Sequence, residues 1–406
     1  MTNEATMTRT VPVSSIDPFS MENILNPDPM IAEISALGPV IYLEKYDVYG
    51  VTNYELVHDA MSRWEDFQVG AGVGLTNYYK TGNWRPPAMP TEVDPPVHDA
   101  PRRVLSSIVS PGALRSLQAQ WRAIANEMVA NLLDRESFDA VPELTAAFPI
   151  RVFSDAVGLP AEGREDLLTY GNLVFNSFGP NNELLQESAA RLGELSAWIN
   201  SLCLRENLSP GSWGMAVWEA ADRGELLEDQ APLVVRSFLS AGVDTTVHGL
   251  SSLLMTFATH PEEFEKVKAN PKLLFTVFDE AVRWISPLQK VHLTAAEDTE
   301  LGDAIIPKHE KIMLFTAAAN RDPKRWENPD RFDAERDPSG HVGFGMGLHQ
   351  CVGQHVARME AMSIIEALVQ HVDRIELVGE PERSPNNTLY AWKQIPMRFH
   401  RKVAAA

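Results

Sequence analysis

Cysteine is nearly absent: Cys203 and Cys351 are the only two in 406 residues. Two thiols cannot build a disulfide framework, a multi-thiolate zinc site or an iron–sulfur cluster, and they leave a reducing compartment as the default. Long apolar runs are missing too. The longest, Ile312 to Ala319 with Thr316 inside it, falls far short of the roughly 20 residues that cross a bilayer. Positive charge is scarce, with 35 Lys and Arg against 55 Asp and Glu, a net charge of −20. Such a surface repels phosphate backbones and anionic lipid, which argues against nucleic-acid binding and polybasic membrane attachment. Met1 to Ser15 has neither a basic start nor an apolar stretch, so no secretory signal is expected. The expectation is a soluble, cytoplasmic, monomeric protein.

Hydrophobic residues at 44% and charged residues at 22% are ordinary globular usage and exclude a disordered chain. Residues 1–15 read as a flexible N-terminal tail and 16–406 as one domain. Pro39 to Leu43 and Val48 to Thr52 read as short β-rich runs joined by a turn. The proline-rich stretch from Trp84 to Pro96 reads as a stiff loop. Helical patterns follow over Leu114 to Leu133, Glu183 to Leu204, Ala231 to Thr259 and Pro271 to Trp284. Short strands fit Thr294 to Leu314, a long loop fits Asn320 to Gly347, and a last helix runs from Cys351 to about His371. The fold class is mostly α with small β-sheets.

The segment Phe344-Gly-Met-Gly-Leu-His-Gln-Cys-Val-Gly353 carries the most information. Glycines there allow close backbone approach to a flat ligand. A cysteine at a helix start sits where free N–H groups stabilise a thiolate, which suits an iron ligand. A dinucleotide loop fails because Leu348 or Gln350 occupies the third glycine position. Zinc fails because His349 and Cys351 have no further thiol nearby. An ordinary glycine-rich loop with a buried cysteine stays open on spacing alone.

The ten-residue run resembles the haem-binding loop of cytochromes P450. Other marks occur in the family's order: Glu280-Ala-Val-Arg283, Arg336 beyond it, and Ala241-Gly-Val-Asp-Thr-Thr246. The resemblance implies a cytochrome P450 fold with haem b between the oxygen-binding helix and the cysteine loop, and Cys351 as axial thiolate. Phe344, Gly353 and Ala241 lie against the haem; His98, Arg102 and His349 hold its propionates. Glu280, Arg283 and Arg336 form a structural network. Asp244 and Thr245 deliver protons to bound O2. Where many relatives place another propionate-binding arginine, this chain has Leu293, with His292 beside it as a substitute.

Within that family the closest resemblance is to bacterial monooxygenases of para-substituted benzoates. It rests on Asn83-Trp-Arg-Pro-Pro87, Leu173 to Pro180 and Val235 to Gly242. It implies O-demethylation of a methoxybenzoate-type lignin aromatic. Arg85, Arg236, Ser237 and Ser240 belong near the anionic end, and Phe175 and Phe178 sandwich the ring. Ala88 replaces a serine, Thr91 a leucine and Val291 an aromatic, which opens the alternative of neutral methoxyphenols. Electrons are expected from NAD(P)H through a ferredoxin reductase and ferredoxin, docked on Arg102, Arg103, Arg115 and Arg358. The rival readings are a haem peroxygenase or dehydratase on the same scaffold, against which Asp244-Thr245 argues, a non-catalytic haem carrier or sensor, and a metal-free helical binding protein.

Overall fold

The computed structural model describes residues 11–83 and 86–402. Arg85 and residues 1–10 of the expected tail lie outside that description. Within the rest of the tail, Val13–Ser14 is not loose: it forms β1, parallel to β2 (Val40–Leu43). Each strand is placed by its apolar alternation. β2 pairs antiparallel with β3 (Val48–Val51) through the turn at Lys45 to Asp47. β4 (Phe67–Gln68), β6 (Val291–Ala295) and β9 (Lys311–Leu314) complete a six-stranded sheet ordered β1-β2-β3-β9-β6-β4. Apolar residues cover both faces of this sheet. Val51, Leu293, Ile312 and Leu314 belong to one cluster and Ile41, Leu43, Val48 and Met313 to the other. Of the remaining strands, β5 (Phe138–Asp139), β10 (Val372–Leu377) and β13 (Pro396–Arg401) make a three-stranded sheet, β7 (Thr299–Leu301) and β8 (Ala304–Ile306) a small hairpin, and β11 (Glu382–Ser384) and β12 (Ala391–Gln394) the hairpin that matters here.

Helices dominate the rest. After α1 (Asp99–Ile108), Ser110 caps α2 (Pro111–Leu133) by accepting from the Ala113 N–H, and Pro111 fills the first turn without losing a bond. α3 (Asp166–Asn176) and α4 (Glu183–Ser188) are joined by a short turn. The expected single helix over Ala231 to Thr259 is two: α5 (Ala231–Ala241) and α6 (Asp244–Thr259). The break follows from local chemistry. The Thr245 hydroxyl donates to the Ala241 carbonyl at 3.2 Å, competing with the helical ladder. Gly242 lets Phe153 approach so closely that a Cβ there would meet its ring at 2.2 Å.

α7 (Val277–Ile285) ends at Ser286, whose φ of 49° turns the chain before Pro287. The last helix starts later than expected: α8 is Gln354–His371, with Cys351 three residues before it in the loop. α8 packs along α2, and the large apolar core draws on residues from Met89 to Phe399. Among the described residues no helix is long and apolar enough to cross a membrane.

Candidate active site

The cysteine loop is shaped by its own backbone. The Cys351 N–H donates to the Phe344 carbonyl at 2.8 Å, closing the run into a compact turn. Gly345 and Gly347 adopt φ of 66° and 65°, a region other residues enter at a cost. A Cβ on Gly347 would also sit 2.7 Å from the Met61 carbonyl oxygen. The Cys351 side chain is accessible to solvent, yet burial is the largest influence on its thiol and pushes the pKa up. Together these place the sulfur on the wall of an internal cleft. The backbone N–H groups of Gly353 and Gln354, then Arg102 and Arg358, pull in the opposite direction. Thiolate stabilisation by free N–H groups therefore operates here, although the cysteine precedes the helix.

His98 and His349 stand beside that cleft with ring centroids 4.7 Å apart. The Nε2 of each is buried and makes no hydrogen bond; that of His349 lies 3.6 Å from Asp94 Oδ1, while His98 Nε2 faces no acceptor of the chain and calls for one from outside. His98 Nδ1 lies 3.2 Å from Asp99 Oδ1, and burial, outweighing that contact, holds the His98 pKa down. Burial likewise lowers Arg102, with Cys351 partly restoring it. One sulfur, two orphaned imidazole nitrogens and a half-buried guanidinium around one cleft fit a flat, dianionic iron macrocycle. Cys351 would take the metal, and His98, Arg102 and His349 the carboxylates.

The network expected below the cleft comes together. Arg283 donates through Nε to Glu280 Oε2 at 2.7 Å and through Nη2 to Oε1 at 2.8 Å, with both side chains fully buried. Arg336 Nε adds a bond to Glu280 Oε1 at 3.1 Å. The arginines also donate to loop carbonyls: Arg283 to Asn320 and Pro329, Arg336 to Glu327 and Asn328. This pins the long loop that leads into the cysteine turn.

Above the cleft, α6 begins at Asp244. That carboxyl is buried, and burial raises its pKa to about 8. Thr245 is half-buried and Ala241 exposed at the interruption between α5 and α6. Phe175, Leu389 and Ala391 form a separate apolar cluster, joined by Phe178 and Leu288. Phe175 and Phe178 do not sandwich a slot. They touch edge to face at 5.7 Å and 85°, which leaves no space between them for a third ring.

The expected anionic end differs in another respect. Arg236 Nη2 donates to the Pro86 and Pro87 carbonyls, both at 3.1 Å, and the Ser237 hydroxyl to the Met89 carbonyl. Ser240 donates to the Arg236 carbonyl at 2.9 Å, and the Ala88 N–H donates to Glu92 Oε2 at 2.9 Å. Arg236 and Ser237 therefore staple the proline-rich loop to α5.

His292 does not stand in for the expected arginine. Successive strand residues point to opposite faces, so Val291 and Leu293 lie with one apolar cluster while His292 faces away, buried with both ring nitrogens unpartnered. The expected docking arginines are not all free. Arg358 is held by Asp279 at 2.8 Å and by Gln354, over the Phe344 ring, and Arg102 faces the cleft.

Sequence reasoning missed three neighbours of the site. Glu360 on α8 is fully buried beside Thr246, and burial, with the Thr246 hydroxyl only partly opposing, pushes its pKa well up. His248 accepts from the Trp392 N–H at 3.3 Å through Nδ1, and burial, with Arg383 adding to it, holds its pKa near 3. Gly171 on α3 carries Asp244. The signal for the first two was a titratable residue within a helix whose neighbouring turns are mostly apolar or small; Gly171 had none.

Comparison with known proteins bears on the same residues. The family model described as Cytochrome P450 matches residues 216–398. The chain is 43% identical over 390 residues to cytochrome p450 CYP199A2 of Rhodopseudomonas palustris, covering 96% of this chain and 95% of that protein. This chain belongs to the cytochrome P450 family. It is also 30% identical to the beta-dihydromenaquinone-9 omega-hydroxylase of Mycobacterium bovis over 97% of its length and 80% of that protein's. Among solved structures, P450 CYP108D1 of Novosphingobium aromaticivorans superposes with a TM-score of 0.81 at 27% identity, covering 94% of this chain and 97% of that one. The protein is thus a P450 monooxygenase, an oxidoreductase that incorporates oxygen, with haem on a cysteine thiolate.

Proposed function

We propose that this P450 oxidises a small para-substituted aromatic, and that its reaction is O-demethylation of a methoxybenzoate-type compound derived from lignin. The observation that carries this reading is the apolar cluster of Phe175, Phe178, Leu288, Leu389 and Ala391, together with the cationic Arg236 on α5. The likeness to a relative with 43% identity supports it. Haem on Cys351 supplies the reductive activation of O2 and transfer of one oxygen atom to a C–H bond.

The chain's own residues then do three things. The aromatic and aliphatic wall holds the ring and excludes water from the reacting carbon. Arg236 has five N–H donors and lends only one nitrogen to the loop carbonyls, so its charge remains for a carboxylate. The Thr245 hydroxyl orients the water that donates protons, and the Asp244 carboxyl holds a proton near neutral pH because burial raises its pKa to about 8. Hydroxylation of the methoxy carbon gives a hemiacetal that loses formaldehyde, so methoxyarene, O2, NAD(P)H and a proton yield phenol, formaldehyde, water and NAD(P)+. The two electrons come from NAD(P)H through a ferredoxin reductase and a ferredoxin, since two cysteines give the chain no cluster of its own. Arg103 and Arg115 are the docking cations.

A second reading, neutral methoxyphenols, is favoured by one observation: the Ala88 N–H already serves Glu92 and the Ser237 hydroxyl already serves Met89. Spectral titration with 4-methoxybenzoate, 3,4-dimethoxybenzoate and guaiacol, followed by formaldehyde assay with a reconstituted electron-transfer chain, tests both. A shift only with the benzoates supports the first reading; a shift only with guaiacol supports the second; no response to any of them removes both.

A further inference from the structure

The aromatic pair of the pocket lies at the end of α3, and its position is set by a cluster of amides. Asn387, fully buried in the loop between β11 and β12, reaches two elements at once. Its backbone N–H donates to Asn176 Oδ1 at 2.9 Å and its Nδ2 to the Asn176 carbonyl at 3.0 Å. The Asn182 and Asn387 side chains exchange a reciprocal pair of bonds at 2.8 and 3.1 Å. Asn182 is also the cap of α4, accepting from the Leu185 N–H. Two further bonds lock the neighbours: Asn386 Nδ2 to Asn172 Oδ1 at 2.9 Å and the Thr388 hydroxyl to the Phe175 carbonyl at 2.8 Å. Every donor and acceptor in these bonds is neutral, so the cluster does not loosen across ordinary pH.

The approach is tight because a glycine permits it. A Cβ on Gly179 would lie 2.5 Å from Asn387 Cβ and Cγ. On the opposite side the Leu75 N–H donates to the Phe178 carbonyl at 2.8 Å, and a Cβ on Gly74 would meet Phe178 Cα at 2.7 Å. Phe175 from α3, Phe178 from the turn after it, and Leu389 from the hairpin loop are therefore parts of one clamped unit.

We propose that Asn387 is a positioning residue that makes this wall of the pocket preformed, so that selectivity comes from a fixed apolar surface and not from a segment that closes onto the substrate. The inference rests on the reading above for the identity of the pocket. Its physical basis is that buried amides with all their bonds made hold a single arrangement, while partial loss leaves buried groups unpaired.

The test compares release of two iron-ligating probes from the haem-loaded enzyme by stopped flow. 4-Phenylimidazole carries a ring that reaches the wall; imidazole does not. Asn387→Ala, and separately Gly179→Ala, which pushes Asn387 aside without removing it, are expected to speed 4-phenylimidazole release about tenfold, on the scale of one to two lost buried hydrogen bonds. Imidazole release is expected to stay within about twofold in both, since it gains nothing from the wall. Equal acceleration of both probes, or of neither, overturns the proposal. Loss of the red-shifted carbon monoxide band in both variants overturns it as well, by showing that the contacts carry the fold. If the wild type demethylates none of the methoxyarenes, the proposed substrate fails while the probe comparison still reads the wall.

Discussion

The Asp244 carboxylate rests directly on the backbone of Gly171: a Cβ placed on Gly171 would lie 1.7 Å from Asp244 Oδ2 and 2.4 Å from its Cγ. Only a glycine on α3 lets the acid at the start of α6 withdraw from water this far. Its withdrawal is what raises its pKa to about 8.

The first prediction follows from that contact. Gly171→Ala is expected to push the Asp244 side chain out and to destabilise the protein by about 1–3 kcal/mol, the usual cost of overpacking. Asp244→Asn removes the titration instead. A carboxyl whose folded pKa exceeds its unfolded value contributes stability that is fully present below about pH 4 and is lost as pH rises through about 8. Asp244→Asn is therefore expected to gain stability relative to the wild type as pH rises over that window, in urea unfolding at several pH values. Its coupling of NAD(P)H oxidation to product should fall at the same time. A variant with unchanged coupling would remove Asp244 from proton delivery.

Glu360 offers a parallel test without the catalytic role proposed for Asp244. It is fully buried on α8 and burial raises its pKa, with Thr246 only partly opposing. The sign is the same: stability falls as pH climbs above the unfolded carboxyl value, because the folded state must keep a proton that the unfolded state releases. Glu360→Gln keeps the shape and removes that cost. Its melting temperature is expected to match the wild type near pH 4 and to exceed it increasingly towards pH 8. A constant offset across pH would show that the carboxyl stays ionised in the folded protein.

The Glu280, Arg283 and Arg336 network gives the third prediction. Glu280→Gln leaves two arginines facing each other, one fully buried, without their carboxylate. Breaking one partner of a buried ion pair costs about 3–5 kcal/mol. Because the arginines also hold the loop that runs into the cysteine turn, the variant is expected to purify with substoichiometric haem. Thermal unfolding and the haem-to-protein absorbance ratio check it. Arg336→Ala, at the more open side of the network, should show a smaller loss of both.

Much of this site is legible in the linear sequence because its parts are local. The glycine pattern around Cys351, and a Glu and Arg three apart on one helix face, depend on spacings of a few residues, and those spacings survive folding. The interruption at Ala241 to Val243 was legible as chemistry, since a threonine hydroxyl can compete for a carbonyl one turn back. It was not legible as a boundary, because apolar periodicity continues on both sides of it. The partners of the expected anionic subsite were not legible for a different reason. Arg236 and Ser237 donate to carbonyls about 150 residues away, and partners at that distance have no signature in spacing. The asparagine cluster was invisible for the same reason: Asn176 and Asn387 are 211 apart, and asparagine in loops ordinarily signals only a turn.

The last prediction concerns how firmly haem is held. With Leu293 packed in an apolar cluster and His292 turned to the other face of β6, the carboxylates of the macrocycle depend on His98, Arg102 and His349 on one side of the cleft. His98 and His349 are adjacent, at 4.7 Å; each has a buried Nε2 without a hydrogen bond, that of His349 with Asp94 Oδ1 3.6 Å away. Removing either imidazole therefore takes away a hydrogen bond to a charged group, a loss of about 1.5–3 kcal/mol. His98→Phe and His349→Phe, which keep ring volume, are expected to lose haem to excess apomyoglobin roughly tenfold to a hundredfold faster than the wild type, following that energy range. Both should retain the red-shifted Soret band of the reduced carbon monoxide form, because the Cys351 bond is untouched. Cys351→Ala should lose that band whatever its haem content. A His98→Phe protein that holds haem as tightly as its parent would show that the carboxylates are gripped elsewhere.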